Sequence, residues 1–523
     1  MAGDLTTGHS SLLVATTGGR TGGRIIASMI AVLLLALLMR FHVGFQASDD
    51  ASYLNGALGW INAFPYVGDN HWTLRHTVTI PTAAFIRLFG LNEFAVSLSG
   101  MCYFIAFIAT NAWFTRRYLG AGTSAVASLL LIAAPGFVVV STYLNPDIPE
   151  LFFASSAFWT LRWSIEEPER RGRWLLGGVL VGLAFMTRQT SVALVVFVGL
   201  LAVFRPLGGR SRYATLGLAA LAVMACEWLY LTSMTGNPTY RWSLDFHHDA
   251  VDRFAEAARV ARSGILIDKE GLISVNVFVD PFLNLFFSQK YGLLFWLLIP
   301  ASIHAFRRRR EPAGLTLALV AAYCAISFFS IAANPKLYLV PRYFVITAWG
   351  AALVVAWWLD ALWREHRRLR AGALLGAALL TSGLALAIEN ISPRFVEKEI
   401  VRWTALHPNE RVYTDIETRA RSEYFLRFAG LPADSLLAEA PPPGARFFYN
   451  KERVAQCAAM SRCRDKVDAF RPSSTWQTQQ TIEGPRRPIA AVADLLGLKR
   501  VLPPDVAQRI DAPIGLVTMY RVR

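Results

Sequence analysis

The chain has 523 residues, of which 54% are hydrophobic and only 17% are charged, and its mean hydropathy is +0.37. A typical soluble domain carries roughly a quarter charged residues, so this composition excludes a disordered chain, a coiled coil and an ordinary cytosolic enzyme. The 52 basic and 37 acidic residues give a net charge of +15. The arginines cluster in short loops between apolar stretches, which is typical of a membrane protein, so no nucleic acid is expected as a partner.

Apolar runs near the length of a membrane-spanning helix recur up to residue 388. The sequence predicts eleven spans, at 25–39, 94–115, 123–143, 148–165, 174–187, 190–204, 213–233, 291–306, 313–333, 342–359 and 371–388. The predicted fold class is therefore an α-helical polytopic membrane protein, with residues 25–388 as its transmembrane domain. Residues 1–24 are rich in Gly, Ser and Thr and are predicted to be a disordered cytoplasmic leader.

The sidedness follows from the arginine clusters. If the N-terminus is cytoplasmic, all of them fall on the cytoplasmic side: Arg116 and Arg117, Arg162 to Arg173, Arg205 to Arg212, Arg307 to Arg310 and Arg364 to Arg370. An odd number of spans then places residues 389–523 on the opposite side, in the periplasm of a bacterial inner membrane, together with the loops 46–92 and 234–290.

The region 389–523, called the tail domain below, is predicted to be a small α/β domain. Short strands are expected at 411–414, 447–449 and 515–522, and a helix at 416–428. Cys457 and Cys463 lie in this domain and could pair outside the cytoplasm. The other three cysteines, Cys102, Cys226 and Cys324, fall within apolar stretches and are interpreted as small core residues.

An acidic pair, Asp49-Asp50, follows the first span. Leu54, Ala57, Leu58 and Ile61 then recur at helical spacing, which predicts an amphipathic helix lying along the membrane surface. Ser48 or the acids suit the start of that helix, because side-chain oxygens cap free N–H groups and negative charge suits the helix dipole. The alternative is that one of the two carboxylates acts as a general base toward an acceptor hydroxyl.

A second acid, Asp147, stands in the turn Asn145-Pro146-Asp147-Ile148-Pro149 between two predicted spans. Asn, Pro and Asp are common turn residues, which gives one interpretation. The other is functional, because a carboxylate in so short a turn between spans needs an arginine, a metal or a polar ligand to balance its charge.

Several cations lie on the predicted outer side, against the usual charge bias: His71, Arg75, His76, Arg188, Lys336 and Arg342. Binding a lipid phosphate explains them, and so does a long side chain that reaches back to the headgroups. Glu227 is a further suspect because it is an acid inside an apolar stretch. His247, His248 and Asp249 could bind a metal, but a solvated loop is the favoured interpretation, since their spacing is not that of a zinc site.

Several segments together resemble a known family. Asp49-Asp50 with the amphipathic helix and the segment 88–95, the Asn145-Pro149 turn, the segment 182–188 and Pro341-Arg342-Tyr343 are similar to markers of the GT-C glycosyltransferases. The resemblance is to the members related to protein O-mannosyltransferases and to the aminoarabinose transferase of lipid A (glycosyltransferase families 39 and 83). It covers roughly residues 25–350.

The resemblance implies transfer of a sugar from a polyprenyl-phosphate donor to a glycan, lipid or protein acceptor on the outer face, with inversion. Carried over, Asp49 is the base, Asp50 its neighbour and Asp147 a second acid of the site. The phosphate candidates are Arg188, Lys336 and Arg342, and the candidates of the substrate loop are His71, Arg75 and His76. The family usually has Asp-Glu where this chain has Asp-Asp, so which of the two carboxylates acts is open.

The residues leave further alternatives. A divalent metal, magnesium or manganese, suits the carboxylates of Asp49 and Asp147, and no other cofactor is indicated. The rival functions are a transporter or lipid flippase, and a polymerase or ligase of surface polysaccharide. Because the ionisable residues gather at the ends of spans and no inverted repeat is evident, the transferase is favoured over the transporter. The sugar, the acceptor and the oligomeric state are not determined by the sequence.

Overall fold

The computed structural model describes residues 17–246, 280–333, 340–458 and 464–523. His247, His248, Asp249, Lys336 and Cys463 lie outside these ranges. The helices up to residue 388 are α1 (Thr17–Arg40), α2 (Asp49–Asn62), α3 (His76–Phe89), α4 (Glu93–Leu119), α5 (Ala121–Ala133), α6 (Pro135–Val138), α7 (Asp147–Glu166), α8 (Arg171–Thr187), α9 (Val192–Phe204), α10 (Arg210–Thr235), α11 (Tyr240–Phe246), α12 (Asp280–Phe286), α13 (Leu294–Arg307), α14 (Gly314–Ala332), α15 (Val345–Arg364) and α16 (Arg368–Ile388).

Each of the eleven predicted spans coincides with a helix or with a bent pair of helices. By length and apolar composition, α1, α4, α10, α14, α15 and α16 are each able to cross a membrane. The pair formed by α5 and the segment 135–142 makes a seventh if it counts as one span. Helices α9 and α13 are apolar but shorter, and α7 carries acids at its start. The prediction of a mostly helical membrane protein is confirmed.

The break between α5 and α6 bends the chain by 69°. Pro135 stands at the first position of α6, where a missing N–H is tolerated, and it cannot continue α5. A 3-10 turn at Val140–Thr142 follows and leads into the turn that starts α7 at Asp147. The bend therefore places Asp147 at the end of the bundle where α2 begins.

The helices have distinct ends. Arg117 and Glu166, 2.8 Å apart, join the last turns of α4 and α7, and Arg308 contacts Glu365 where α13 and α15 end. The candidate acids and cations stand at the opposite end of the same helices, since α7 starts at Asp147 and a 3-10 turn at Pro341–Phe344 precedes α15. This separation is consistent with the predicted sidedness.

The tail domain contains α17 (Phe395–Leu406), α18 (Ile416–Phe428), α19 (Lys451–Ala458), α20 (Pro488–Leu495), α21 (Pro504–Asp511), β1 (Val412–Thr414), β2 (Leu436–Leu437), β3 (Arg446–Tyr449), β4 (Gln477–Glu483) and β5 (Leu516–Arg521). The strands form one mixed sheet in the order β2-β1-β3-β5-β4. Strand β1 is parallel to β2 and β3, and β5 is antiparallel to β3 and β4. The prediction of a small C-terminal α/β unit is confirmed, and Cys457 in α19 is disulfide-bonded. Cys102, Cys226 and Cys324 are free.

The amphipathic helix predicted after the first span is α2. Leu54 and Ala57 are fully buried, in one apolar cluster with residues of α3 and with Val396 and Leu426 of the tail domain. The apolar face of α2 is thus covered by protein, and the hairpin α2–α3 is the layer between the bundle and the tail domain.

Candidate active site

The turn of residues 44–50 carries the acidic pair. Asp50 is 2% exposed, and its carboxylate accepts hydrogen bonds from the backbone N–H of Gln46 at 2.5 Å and of Ser48 at 2.6 Å. Ala47, between these two donors, has a φ of 48°, in the left-handed region where a residue other than glycine is strained by about 1–3 kcal/mol. The Asp50 carboxylate holds this strained turn closed, whereas the Ser48 side chain makes no capping bond.

Burial dominates the electrostatics of Asp50. It raises the pKa of the Asp50 carboxyl to about 6, against a usual 3.8, although the two backbone N–H groups and Arg394 favour the ionised form. Asp50 therefore supports the turn from inside, and only its neighbour faces outward.

Side chains of the tail domain also bind the turn of residues 44–50. Arg394 donates to the carbonyl oxygen of Gln46, and Arg421 donates to that of Ala47 at 3.2 Å. The ring of Phe45 lies 5.1 Å from the ring of Tyr424 and contacts two further aromatic rings of α18, Phe425 and Phe428. None of these tail residues was predicted to belong to the site.

Asp49 is the exposed member of the pair. Its side chain is 50% exposed, and its Oδ2 accepts a hydrogen bond from Nη2 of Arg342 at 3.2 Å. Arg342 in turn places its Nε 3.8 Å from Oδ2 of Asp147. One guanidinium therefore links the first loop to the turn that starts α7, and it remains 33% exposed.

Asp147 is 1% exposed, and each of its carboxylate oxygens lies near an arginine. Arg188 contacts its Oδ1, and Asn145 accepts a hydrogen bond from its backbone N–H at 2.9 Å. Arg188 also lies 3.7 Å from Glu150 and places its guanidinium 4.1 Å from the ring centre of Tyr343. This guanidinium is therefore already bound within the protein by two carboxylates and an aromatic ring, and Arg188 is only 6% exposed.

Glu150 completes the cluster. Its Oε1 accepts hydrogen bonds from the hydroxyls of Thr190, at 2.6 Å, and Ser191, at 2.8 Å. The cluster thus contains three carboxylates and two guanidiniums, and only Asp49 and Arg342 have substantial exposed surface.

The predicted substrate loop is divided. Arg75 donates to the phenol oxygen of Tyr53, next to the acidic turn. His76 belongs to a separate cluster, where its Nδ1 lies 3.4 Å from Glu227, and Glu227 pairs with Arg241. His71 lies against its neighbour Trp72.

Burial and the Arg241 charge lower the pKa of His76 to about 4, so its imidazole is neutral near pH 7. The acid inside an apolar stretch, Glu227, is thereby explained by a paired arginine, Arg241, which lies beyond the end of α10.

The residues around Asp49 do not fit a divalent metal. A guanidinium stands between the Asp49 and Asp147 carboxylates, where a cation would have to bind. Throughout the described ranges, no three His, Cys, Asp or Glu side chains are grouped as a metal site requires.

The sequence and the structure of this chain are similar to those of known proteins. The family model of dolichyl-phosphate-mannose-protein mannosyltransferase matches residues 80–230, a range that includes Asp147 and Arg188. No curated protein sequence matches the chain. Among solved structures, ArnT from Cupriavidus metallidurans in the apo state has a TM-score of 0.56 at 13% identity, covering 97% of this chain and 99% of ArnT. The same protein bound to undecaprenyl phosphate gives a TM-score of 0.52.

The chain has the GT-C fold. A second similar structure is the archaeal oligosaccharyltransferase AglB from Archaeoglobus fulgidus, in complex with an inhibitory peptide and a dolichol-phosphate, with a TM-score of 0.53 and 11% identity. It covers 81% of this chain, which spans only 65% of the length of AglB. The fold implied by the acidic pair and the later markers is therefore confirmed for this chain.

Proposed function

We propose that this GT-C protein is a membrane glycosyltransferase that moves a sugar from a polyprenyl-phosphate donor to an acceptor hydroxyl on the periplasmic face. The observation that carries the proposal is the pair formed by Asp49 and Arg342, which joins a half-exposed carboxylate to a partly exposed guanidinium at 3.2 Å. Transfer with inversion requires a base for the acceptor and a cation for the departing phosphate, and these two side chains are a carboxylate and a cation in neighbouring positions.

In the proposed reaction, the acceptor oxygen attacks the anomeric carbon of the donor sugar. Asp49 takes the hydroxyl proton as the new carbon–oxygen bond forms. The bond between the anomeric carbon and the phosphate oxygen breaks on the opposite side, and its electron pair leaves with the polyprenyl phosphate. Arg342 stabilises the charge that develops on that phosphate.

The buried members of the cluster position these two groups. Asp147 faces Arg342 at 3.8 Å and is itself held by Arg188, so the Arg342 guanidinium is oriented before a substrate binds. Arg188 was predicted to bind phosphate as well. Its burial between Asp147, Glu150 and Tyr343 favours a positioning role. Asp50 maintains the turn that presents Asp49.

The fold supports this assignment of donor. The similar structures of ArnT and AglB contain undecaprenyl phosphate and dolichol-phosphate, respectively. The matched family model is described as acting with dolichyl-phosphate-mannose. A lipid-phosphate sugar is therefore the donor class that we propose, with a glycan, a lipid or a protein as acceptor.

The test is mass spectrometry of glycolipids and glycoproteins from a strain that lacks this chain, looking for one missing sugar. Wild-type protein should restore it, and Asp49→Asn should not. Asp69→Asn is the matched control, because Asp69 is an exposed acid in the same loop and its substitution should leave transfer intact. An unchanged glycan profile combined with accumulation of an untransported lipid would instead favour a flippase.

The proposed sidedness has its own test. A reporter that is active only in the periplasm should be active when fused after Ile391 and inactive when fused after Arg309. The reverse pattern would place the Asp49 site on the cytoplasmic face and contradict the proposed location.

A further inference from the structure

The segment of residues 495–501, called the apolar spur, exposes an unusual amount of large apolar surface. Leu495 is 86% exposed, Leu496 62% and Val501 78%. A domain surrounded by water rarely groups such side chains, because each exposed apolar area costs free energy in contact with water. The spur therefore requires an apolar partner.

The apolar spur lies next to a helix that is able to span a membrane. It begins in the last residue of α20, and α20 packs against α16, one of the helices able to span a membrane. The tail domain starts directly after Ile388, the last residue of α16. Helix α16 itself exposes Leu380, Leu384 and Ile388. The spur thus begins at the end of a helix that contacts a candidate membrane span, and that span exposes apolar side chains of its own.

The charges on and around the spur suit a lipid headgroup layer. Lys499 pairs with Asp494 at 2.6 Å and with Asp511, and Arg486 lies 3.6 Å from Asp511, so two acids near the spur are balanced by two basic side chains. Arg500 is exposed between the apolar residues. Long basic side chains reach lipid phosphates while their neighbours enter the acyl boundary, whereas unpaired acids would oppose this.

We propose that the apolar spur inserts into the boundary between the headgroups and acyl chains of the bilayer. The tail domain is then held by a lipid contact in addition to its protein contacts, and this contact fixes its height above the membrane. The inference depends on the membrane placement of α16 and is independent of the proposed reaction.

The test uses a fluorescent label with a polarity-sensitive emission. In a chain with Cys102→Ala and Cys226→Ala, the variant Leu495→Cys is labelled and placed in phosphatidylcholine and phosphatidylglycerol vesicles. The matched control is Asp434→Cys, an exposed position beside β2. That strand lies at the opposite edge of the sheet from β4, about 19 Å away across four strand spacings. Both labels replace exposed side chains, and unchanged thermal unfolding verifies the fold.

We expect a blue-shifted emission at position 495 and several-fold stronger quenching there than at position 434 when the acyl chains carry bromine. Equal quenching at the two positions would overturn the proposal. A blue shift without bromine quenching would also overturn it, since a second copy of the chain would then cover the spur.

Discussion

Replacing Asp49 and Asp50 one at a time distinguishes a loss of catalysis from a loss of stability. Asp49 is half exposed, and among the described residues its one charged partner is Arg342. An exposed ion pair contributes at most about 1 kcal/mol to stability, so Asp49→Asn should unfold close to the wild-type temperature. Loss of the base should lower transfer by roughly 10²–10⁴-fold, which corresponds to about 2.7–5.5 kcal/mol of barrier.

Asp50→Asn should behave in the opposite way. An amide has one acceptor oxygen, so it satisfies only one of the backbone N–H groups of Gln46 and Ser48 and turns its NH₂ group toward the other. Leaving a buried donor without a partner costs about 1–3 kcal/mol, so this variant should melt earlier. Transfer should decline only as far as the turn loosens.

The assay follows transfer of a labelled sugar from lipid phosphate in vesicles, with thermal unfolding of the same samples. Full activity of Asp49→Asn would refute its role as the base. A loss of activity in Asp50→Asn at an unchanged unfolding temperature would show that the buried carboxylate is the catalytic one.

Three further outcomes are expected. Arg342→Met should lower kcat by roughly 10²–10³-fold without loss of folded protein, measured against Arg342→Lys, which keeps the charge and part of the activity. Folding raises the pKa of the Asp50 carboxyl from 3.8 to about 6, so the folded protein holds this proton more tightly than the unfolded chain. The stability gained from that proton is complete below about pH 4 and is lost as the pH rises through 6. The unfolding temperature should therefore fall from pH 5 to pH 7, and this fall should be smaller in Asp50→Asn. Arg421→Ala, which removes the contacts with the Ala47 carbonyl and the Glu417 carboxylate, should reduce kcat more than it changes KM. The control Arg402→Ala, which removes an exposed pair with Glu399, should change neither.

Much of the fold was accessible from the sequence because apolar runs and helical spacing are local patterns. The helix predicted at 416–428 begins and ends as α18 does. Strand β4 was missed because all its residues except Ile482 are polar and exposed, so no alternation marks it. Strand β2 has only two residues and carries too short a pattern.

The site was predictable in part. Acids between spans and cations against the charge bias identified Asp49, Asp147 and Arg342, which the structure brings together. The roles of the neighbours depend on burial, which a sequence pattern does not report. Arg394 and Arg421 had no local signal, since they contact carbonyl groups, and any residue provides a carbonyl.

The hydrogen bonds between the tail domain and the 44–50 turn have a consequence for biosynthesis. A ribosome makes the turn among the first fifty residues, yet Arg394 and Arg421, which bind it, follow 348 and 374 residues after the carbonyl groups that they contact. The 44–50 turn therefore lacks these contacts until the first part of the tail domain has been made, so a chain that terminates before Arg394 is expected to insert its spans without fixing the turn.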